Sequence, residues 1–158
     1  MLQHQAASHS PNNAHLAYNY ASTNITKTRQ VVLAYDGILS MVMRARQAIQ
    51  ENQPEARFVA LQKACTVILS LQTSIDHERG GEISKLLDNF YFSVDMRLVR
   101  QNMEPDIEKL DRILAEIRMM RDAWADVDAQ MVAAGIKDAD STAAAPSVET
   151  ISSISVSA

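Results

Sequence analysis

Apolar residues recur along the chain at alternating spacings of three and four over four successive segments. This period places them on one face of an α-helix, as in the seams of helical bundles. The four stripes are Val31, Tyr35, Ile38, Val42, Ala45 and Ile49; Phe58, Leu61, Cys65, Ile68 and Ile75; Ile83, Leu87, Phe90, Val94 and Leu98; and Ile113, Ile117, Met120, Trp124, Val127 and Met131. Since no segment alternates with the two-residue period of a β-strand, the pattern predicts four helices and no sheet.

Helix-breaking residues mark the boundaries between these stripes. Pro54, the pair Gly80-Gly81 and Pro105 divide the middle of the chain into four parts. We expect Gly80 to end the second helix in a left-handed conformation, and Asp106, beside Pro105, to begin the fourth. Because connections this short make neighbouring helices antiparallel, residues 25–133 are predicted to form an antiparallel, up-and-down four-helix bundle.

The two ends of the chain lack any helical period. Residues 1–24 are rich in His, Asn, Ser and Ala, and residues 134–158 are rich in Ala, Ser and Thr. Such segments bury too little apolar surface to offset the entropy lost on ordering. We therefore expect an all-α fold with a flexible N-terminal arm and a flexible, disordered C-terminal tail.

Gly37 lies inside the first predicted helix, where glycine costs about 0.5 to 1 kcal/mol relative to alanine. A glycine in a helix permits close approach of another backbone or of a ligand to the helix surface. Of these two interpretations, we favour a neighbouring helix packed closely against Gly37.

Composition and charge argue against some classes of partner. Hydrophobic residues make up 47% of the chain, which is enough for a core, and the net charge of −4 gives no general attraction to nucleic acid. The most apolar run, 31–43, is interrupted by Asp36 and is too short to span a bilayer. The first residues lack the apolar stretch of a signal peptide, and the single cysteine, Cys65, excludes an internal disulfide. We therefore expect a cytoplasmic protein without nucleic-acid or membrane partners.

Catalytic and metal-binding patterns are absent from the sequence. Three of the four histidines, His4, His9 and His15, lie in the N-terminal arm, and the fourth, His77, lies in a predicted turn. The Glu-x-x-His pairs of di-iron bundles, the GxSxG elbow of hydrolases and the glycine-rich phosphate loop do not occur. The sequence therefore predicts a protein that is not an enzyme and that needs neither a metal nor another cofactor.

The first and fourth predicted helices carry more apolar residues than one seam requires. The additional positions are Val32, Leu39 and Met43 on the first helix and Leu110 and Leu114 on the fourth. A helix that is apolar around much of its girth is either buried centrally or covered by a partner. A covering partner would dock as an amphipathic helix in a groove, or would be a second copy of the chain.

Three stretches of the chain resemble sequences of one known family. Leu33-Ala34-Tyr35-Asp36-Gly37-Ile38 is similar to the Leu-Tyr-Asp-Gly-Ala signature of the FliS family of flagellar export chaperones. GGEISKLLDNFYFSVDMRLVRQN, from Gly80 to Asn102, resembles that family's Gly-Gly-Glu-Ile-Ala, Leu, Tyr, Arg-Leu and Ala-Asn series, and LAEIRMMRDAW at 114–124 resembles its closing Leu-Arg-x-Ala-Trp. The order and spacing of the three stretches make the resemblance specific.

The resemblance implies a cytosolic helical bundle that binds the C-terminal segment of newly made flagellin. Binding would keep flagellin unpolymerised and competent for flagellar type III export, without nucleotide or cofactor. The resemblance leaves open whether the flagellar export apparatus is a second partner and whether the free chain is a monomer or a dimer. The alternative hypothesis is a self-associating helical-bundle scaffold that does not bind flagellin.

We predict that flagellin contacts the additional apolar positions and the aromatic residues of the N-terminal arm. In the family that arm often carries an Ala-Tyr pair, which Ala17-Tyr18 resembles, with Tyr20 following. The predicted flagellin-binding residues are therefore Tyr18, Tyr20, Val32, Leu39, Met43, Leu110 and Leu114.

Overall fold

The computed structural model describes residues 25–136 and 145–156, which form five α-helices. They are α1 (Lys27–Gln50), α2 (Pro54–Thr73), α3 (His77–Met103), α4 (Ile107–Ala133) and α5 (Val148–Val156). Within these residues there is no strand, so the prediction of an all-α fold is confirmed. The N-terminal arm, with Tyr18 and Tyr20, lies outside the described residues.

Local signals in the sequence begin α1, α2 and α4. The Thr26 Oγ1 accepts a hydrogen bond from the Arg29 N–H at 3.0 Å, and the Asp106 Oδ1 accepts one from the Lys109 N–H at 3.1 Å. Both caps satisfy amide groups that have no partner within the first helical turn. α2 begins at Pro54, whose missing N–H costs nothing in that position.

Ion pairs join α1 to α4 and show that the two helices are antiparallel. Asp36, early in α1, binds Arg121 late in α4, with Nε and Oδ1 2.8 Å apart. Arg46, late in α1, binds Asp111, early in α4, with Nε and Oδ1 2.6 Å apart. α1 therefore lies beside α4 on one side and packs against α2 on the other, while α2 also packs against α3.

All five helices contribute to one continuous core. α3 and α4 touch each other along a shorter length than the other neighbours do, and α5 packs against both of them. The buried residues of the core cluster are Val32, Tyr35, Ile38, Leu39, Val42, Ala45, Ala60, Leu61, Ala64, Ile68, Leu71, Leu87, Phe90, Tyr91, Val94, Leu98, Leu110, Ile113, Leu114, Ile117, Met120, Trp124, Ile151 and Ile154.

The prediction that Gly80 ends the second helix is wrong, because α2 ends at Thr73 and both glycines lie inside α3. Asp76 caps the first turn of α3, and the Gly80 N–H still donates to the Asp76 carbonyl at 3.0 Å. Gly81 then takes φ +52° and ψ −124°, which kinks the helix before its main part. The left-handed residue is therefore Gly81 rather than Gly80, because the capped turn keeps Gly80 hydrogen-bonded.

The prediction that the whole tail, 134–158, is disordered is wrong for residues 148–156. These residues form α5, and its Ile151 and Ile154 are fully buried in the core. The tail by itself has too few apolar residues to order, as the sequence indicates. A short amphipathic helix becomes favourable here because the bundle offers an apolar surface for its two isoleucines.

The long helices of the described part are all too polar to be membrane spans. None of them contains a stretch apolar and long enough to cross a bilayer.

Candidate functional site

Four of the residues predicted to bind flagellin lie inside the protein. Val32, Leu39, Leu110 and Leu114 are buried in the core, whereas Met43 is 48% exposed. The interpretation of central burial, which the sequence left open, therefore describes these four positions in the free chain. Their contact with a partner stays a prediction, as does that of Tyr18 and Tyr20.

The extra apolar residues of α1 and α4 have a structural explanation. α1 packs against both α2 and α4, and α4 packs against both α1 and α5. A helix with two packed neighbours buries a wider sector than a single seam does. The surplus that the sequence shows on these helices is therefore used within the bundle.

Exposed apolar side chains are concentrated on α3 instead. Phe92, Met96, Val99 and Met103 follow one another at spacings of four, three and four along the helix. Phe92 is 60% exposed and Met103 is 76% exposed, and the two residues between them are also exposed. This second stripe is separate from the buried stripe of the same helix.

α2 places a matching row beside this stripe. Phe58 and Leu69 are both more than half exposed, and the half-buried Cys65 lies between them on the same side of the helix. Together with the four residues of α3 they form what we call the α2/α3 face. Its members are Phe58, Cys65, Leu69, Phe92, Met96, Val99 and Met103.

Polar contacts across the seam bring these two rows together. The Gln72 Nε2 donates to the Asp88 Oδ1 at 2.7 Å, and the Arg57 Nη2 donates to the Asn102 carbonyl at 3.0 Å. These contacts align the end of α2 with the beginning of α3, as in an antiparallel pair. Since Phe92 lies one helical turn after Asp88, it borders the seam on its outer side.

The chemistry of the face is that of an apolar binding surface. Burial, reinforced by the neighbouring Asp95, raises the pKa of the Cys65 thiol to about 12. The thiol is therefore protonated at neutral pH and is a poor nucleophile. Among the described residues, no three His, Cys, Asp or Glu side chains come together as a metal site. Methionine and phenylalanine side chains suit an adaptable contact with an apolar segment.

Sequence reasoning missed the face because it misplaced the seam of α2. Phe58 and Cys65 were expected in the core with Leu61 and Ile68, but α2 is rotated so that Ala60 and Ala64 take their place there. The buried residues of α2 are Ala60, Leu61, Ala64, Ile68 and Leu71. The regular spacing of the exposed stripe on α3 was the available signal, since it repeats the helical period outside the predicted seam.

The Tyr35-Asp36-Gly37 motif holds the bundle together rather than lining this face. The Tyr35 hydroxyl donates to the Tyr91 hydroxyl at 2.9 Å inside the core, and Asp36 binds Arg121. A Cβ placed on Gly37 would meet no described atom within 4 Å. The expectation that a neighbouring helix packs closely on Gly37 is therefore wrong.

The fold and the α2/α3 face define a small helical bundle with a closed core and an exposed apolar surface. Residues 11–131 match the family model described as flagellar protein FliS, and the chain belongs to this family. The matched region contains α1 to α3, nearly all of α4 and the whole α2/α3 face, and it ends before α5.

Curated relatives carry names from the same family. The chain is 29% identical over 112 residues to the flagellar secretion chaperone FliS of Escherichia coli (strain K12). The aligned region covers 70% of this chain and 82% of the relative. It is 27% identical over 116 residues to the protein of that name from Campylobacter jejuni, covering 71% and 91% of the two chains. The flagellar secretion chaperone FliSB of Pseudomonas aeruginosa is 31% identical over 96 residues, covering 61% of this chain and 76% of the relative.

Proposed function

We propose that this protein is a cytoplasmic export chaperone that binds the C-terminal segment of flagellin and keeps it unpolymerised until secretion. Membership of the FliS family and the names of the curated relatives support a role in flagellar secretion. The observation that carries the proposal is the α2/α3 face, because a bundle with a complete core has no structural need for it.

The α2/α3 face fits an amphipathic segment that is unstructured before it binds. Six of its residues are exposed, and full burial of such a side chain is worth about 1.5 to 3 kcal/mol. Burying the exposed half of each would contribute on the order of 5 kcal/mol in total. This is similar to the cost of about 2 to 5 kcal/mol for ordering a disordered segment, so additional contacts are needed for tight binding.

A segment that wraps around the bundle would supply these contacts. Met43 lies on the side of α1 that faces α4, away from the α2/α3 face, as the pairing of Asp36 and Arg46 with α4 indicates. A disordered segment can cover separated patches of this kind. Contacts of flagellin with Met43, Tyr18 and Tyr20 remain part of the proposal, as does a contact of this chain with the export apparatus.

Titration calorimetry with the C-terminal segment of flagellin from the same genome tests the proposal. We expect one-to-one binding by the unmodified chain and a loss of at least tenfold in affinity for Phe92→Asp/Met96→Asp. The matched control is Val59→Asp/Val132→Asp, which changes two exposed apolar residues outside the face. Circular dichroism establishes that each variant keeps its helices.

The possible outcomes test two claims independently: where the binding surface lies, and whether the protein binds flagellin. Equal affinity of both double variants would place the binding surface elsewhere. Absence of heat with the unmodified chain would contradict flagellin binding and would favour the self-associating scaffold, because an exposed apolar face also suits a second copy of the chain. Sedimentation of the free chain and of Phe92→Asp/Met96→Asp would then show whether the face forms an oligomer.

A further inference from the structure

α5 lies in a groove between two helices that do not fully close on each other. α3 and α4 are joined by Arg97 and Glu116, whose Nη1 and Oε1 atoms are 2.8 Å apart. The two helices touch along a shorter length than other neighbouring helices do, and α5 packs against both. Ile151 and Ile154 of α5 are buried there.

The groove has an apolar wall on α3 and a mixed wall on α4. On α3, Ile83, Leu86 and Phe90 lie at whole-turn spacings from Arg97 and therefore on the same helical face. On α4, Met119, Ala123 and Val127 border the cavity that α5 shares, and the polar residues of α4 at its edge are Asp122, Asp126 and Gln130. We call the site formed by these six apolar residues the α3/α4 groove.

α5 lies along the second half of α4. Ala145, just before α5, lines a cavity with Val127 and Met131 near the end of α4. Ile154, near the end of α5, shares a cavity with α4 residues from Met119 to Gln130.

Past the ion pair, the same faces of α3 and α4 border a cavity in which basic residues predominate. Arg97, Arg100, Lys109 and Arg112 line this cavity of about 250 Å³ together with Glu116. The only acidic residue between 145 and 158 is Glu149, which is exposed early in α5. A longer amphipathic helix with acidic residues at its end would fill both the α3/α4 groove and the basic cavity.

α5 has the properties of a replaceable occupant. It is a helix of nine residues, which is too short to be stable alone, and its docking depends mainly on two isoleucines. It also lies beyond residue 131, where the match to the family model ends. The bundle proper is therefore shared with the family, whereas this occupant of its groove is a feature of the tail.

We propose that α5 is an internal ligand of the α3/α4 groove and that an amphipathic helix of the export substrate displaces it. This inference rests on the proposed function and adds a second substrate-binding surface with a built-in competitor. The displacing helix has apolar residues at spacings of three and four, as Ile151 and Ile154 have, and acidic residues toward the end that meets the basic cavity. Substrate binds the groove only in molecules from which α5 has undocked. The apparent affinity for substrate is therefore reduced in proportion to the fraction of molecules whose groove is free.

Substitution of the two isoleucines in the full-length chain tests the inference. Ile151→Ser/Ile154→Ser releases α5, and we expect the flagellin C-terminal segment to bind about tenfold more tightly than to the unmodified chain, as for a groove occupied about nine-tenths of the time. The matched control is Glu149→Asp, which keeps the negative charge in the exposed first turn of α5 and leaves the affinity unchanged. Addition of a synthetic peptide of residues 145–158 to the released variant restores weaker substrate binding, whereas a peptide with the two serine substitutions does not.

A second variant changes the affinity in the opposite direction without removing core residues. Ser153 is exposed, and its Oγ donates to the Thr150 carbonyl at 2.8 Å. Ser153→Ala favours the helical state of α5, so we expect docked α5 to compete better and substrate to bind about twofold more weakly. This variant keeps the test decisive if the released variant does not fold.

Each result decides between specific alternatives. If the unmodified chain binds flagellin and the released variant binds it equally or more weakly, α5 is only a structural part of the core and the inference is overturned. For a released variant that does not fold, unchanged affinity in Ser153→Ala has the same meaning. If no chain binds flagellin, the proposed function and this inference both fail.

Discussion

At the scale of single residues, Tyr35 and Tyr91 form a buried polar pair in the middle of the core. Their hydroxyls are 2.9 Å apart, and both side chains are almost fully buried. Tyr91→Phe would leave the Tyr35 hydroxyl without this partner, so we expect the free energy of unfolding to fall by about 1 to 3 kcal/mol. Tyr35→Phe/Tyr91→Phe should cost less than the two single changes added together, because it leaves no unpaired hydroxyl. Urea unfolding of the four chains measures this difference.

The same pair predicts a loss of stability at high pH. Burial raises the pKa of Tyr35 well above 10, and burial also raises the pKa of Tyr91 to about 12. The unfolded chain ionises near pH 10 while the folded chain stays protonated, so the contribution of the pair is complete below pH 10 and decreases from pH 10 to 12. Thermal unfolding between pH 8 and 12 should show this decrease, and it should be smaller in Tyr35→Phe/Tyr91→Phe. Equal slopes in the two chains would contradict the assignment.

Substitution of Gly37 tests separately how this glycine affects the stability of the bundle and how it affects binding. Since an added Cβ meets no described atom, Gly37→Ala should stabilise the bundle by about 0.5 to 1 kcal/mol. Close approach of a neighbouring helix no longer explains the glycine, which leaves approach of a ligand or of the N-terminal arm. We therefore expect Gly37→Ala to raise the melting temperature and to weaken binding of the flagellin segment. A stabilised variant with unchanged affinity would show that no ligand approaches this position.

At the scale of helices, the seam between α3 and α4 depends on one ion pair. The Glu116 side chain is only 5% exposed and is bound by Arg97 through both of its oxygens. Arg97→Met should therefore lower the free energy of unfolding by about 2 to 4 kcal/mol, less than for a fully buried pair because Arg97 is partly exposed. Arg97→Met/Glu116→Met should recover part of this loss. The matched control, Arg46→Met, removes the exposed pair with Asp111 and should change stability little.

The kink in α3 gives a second prediction for this helix. Gly81 has φ +52° and ψ −124°, a conformation that a residue with a Cβ adopts only with strain. Gly81→Ala should therefore cost about 1 to 3 kcal/mol in urea unfolding. Gly80→Ala is the adjacent control, because Gly80 does not have a positive φ. Equal effects of the two changes would mean that α3 can straighten through this region.

The sequence predicts the helices of this fold better than it predicts their surfaces. Period, capping residues and prolines are local signals, so α1 to α4 and their antiparallel order follow from them. The rotation of α2 and the docking of α5 depend on which neighbours are present, and these are tertiary effects. For the same reason Val32 and Leu110, read as surface candidates, are buried, whereas Phe58, read as core, is exposed.

At the scale of the whole molecule, α3 separates two surfaces of different kind. The α2/α3 face on one side is open, and the α3/α4 groove on the other side is occupied by α5. A flagellin segment that wraps around α3 would meet the open face first and would then compete with α5. This order gives the chain a first contact that needs no rearrangement and a second one that depends on displacement of the tail.

Cys65 provides a measurement of the first contact because it is the single cysteine of the chain and lies in the α2/α3 face. With its pKa raised to about 12, the native thiol should react with a maleimide at pH 8 roughly a hundred to a thousand times more slowly than the unfolded chain. Bound flagellin segment should slow the native reaction by a further factor of about ten, by covering Phe92 and its neighbours.

The concentration dependence of this protection distinguishes the two surfaces. If the face and the groove are bound by one continuous segment, release of α5 by Ile151→Ser/Ile154→Ser should protect Cys65 at lower flagellin concentration, because both contacts contribute to one binding event. If the two contacts are independent, the flagellin concentration that gives half-maximal protection of Cys65 should be the same in the unmodified chain and in Ile151→Ser/Ile154→Ser. Calorimetry would still show tighter binding by Ile151→Ser/Ile154→Ser. Binding that leaves the reaction of Cys65 unchanged would remove the α2/α3 face from the site and leave the groove as the surface to which flagellin binds.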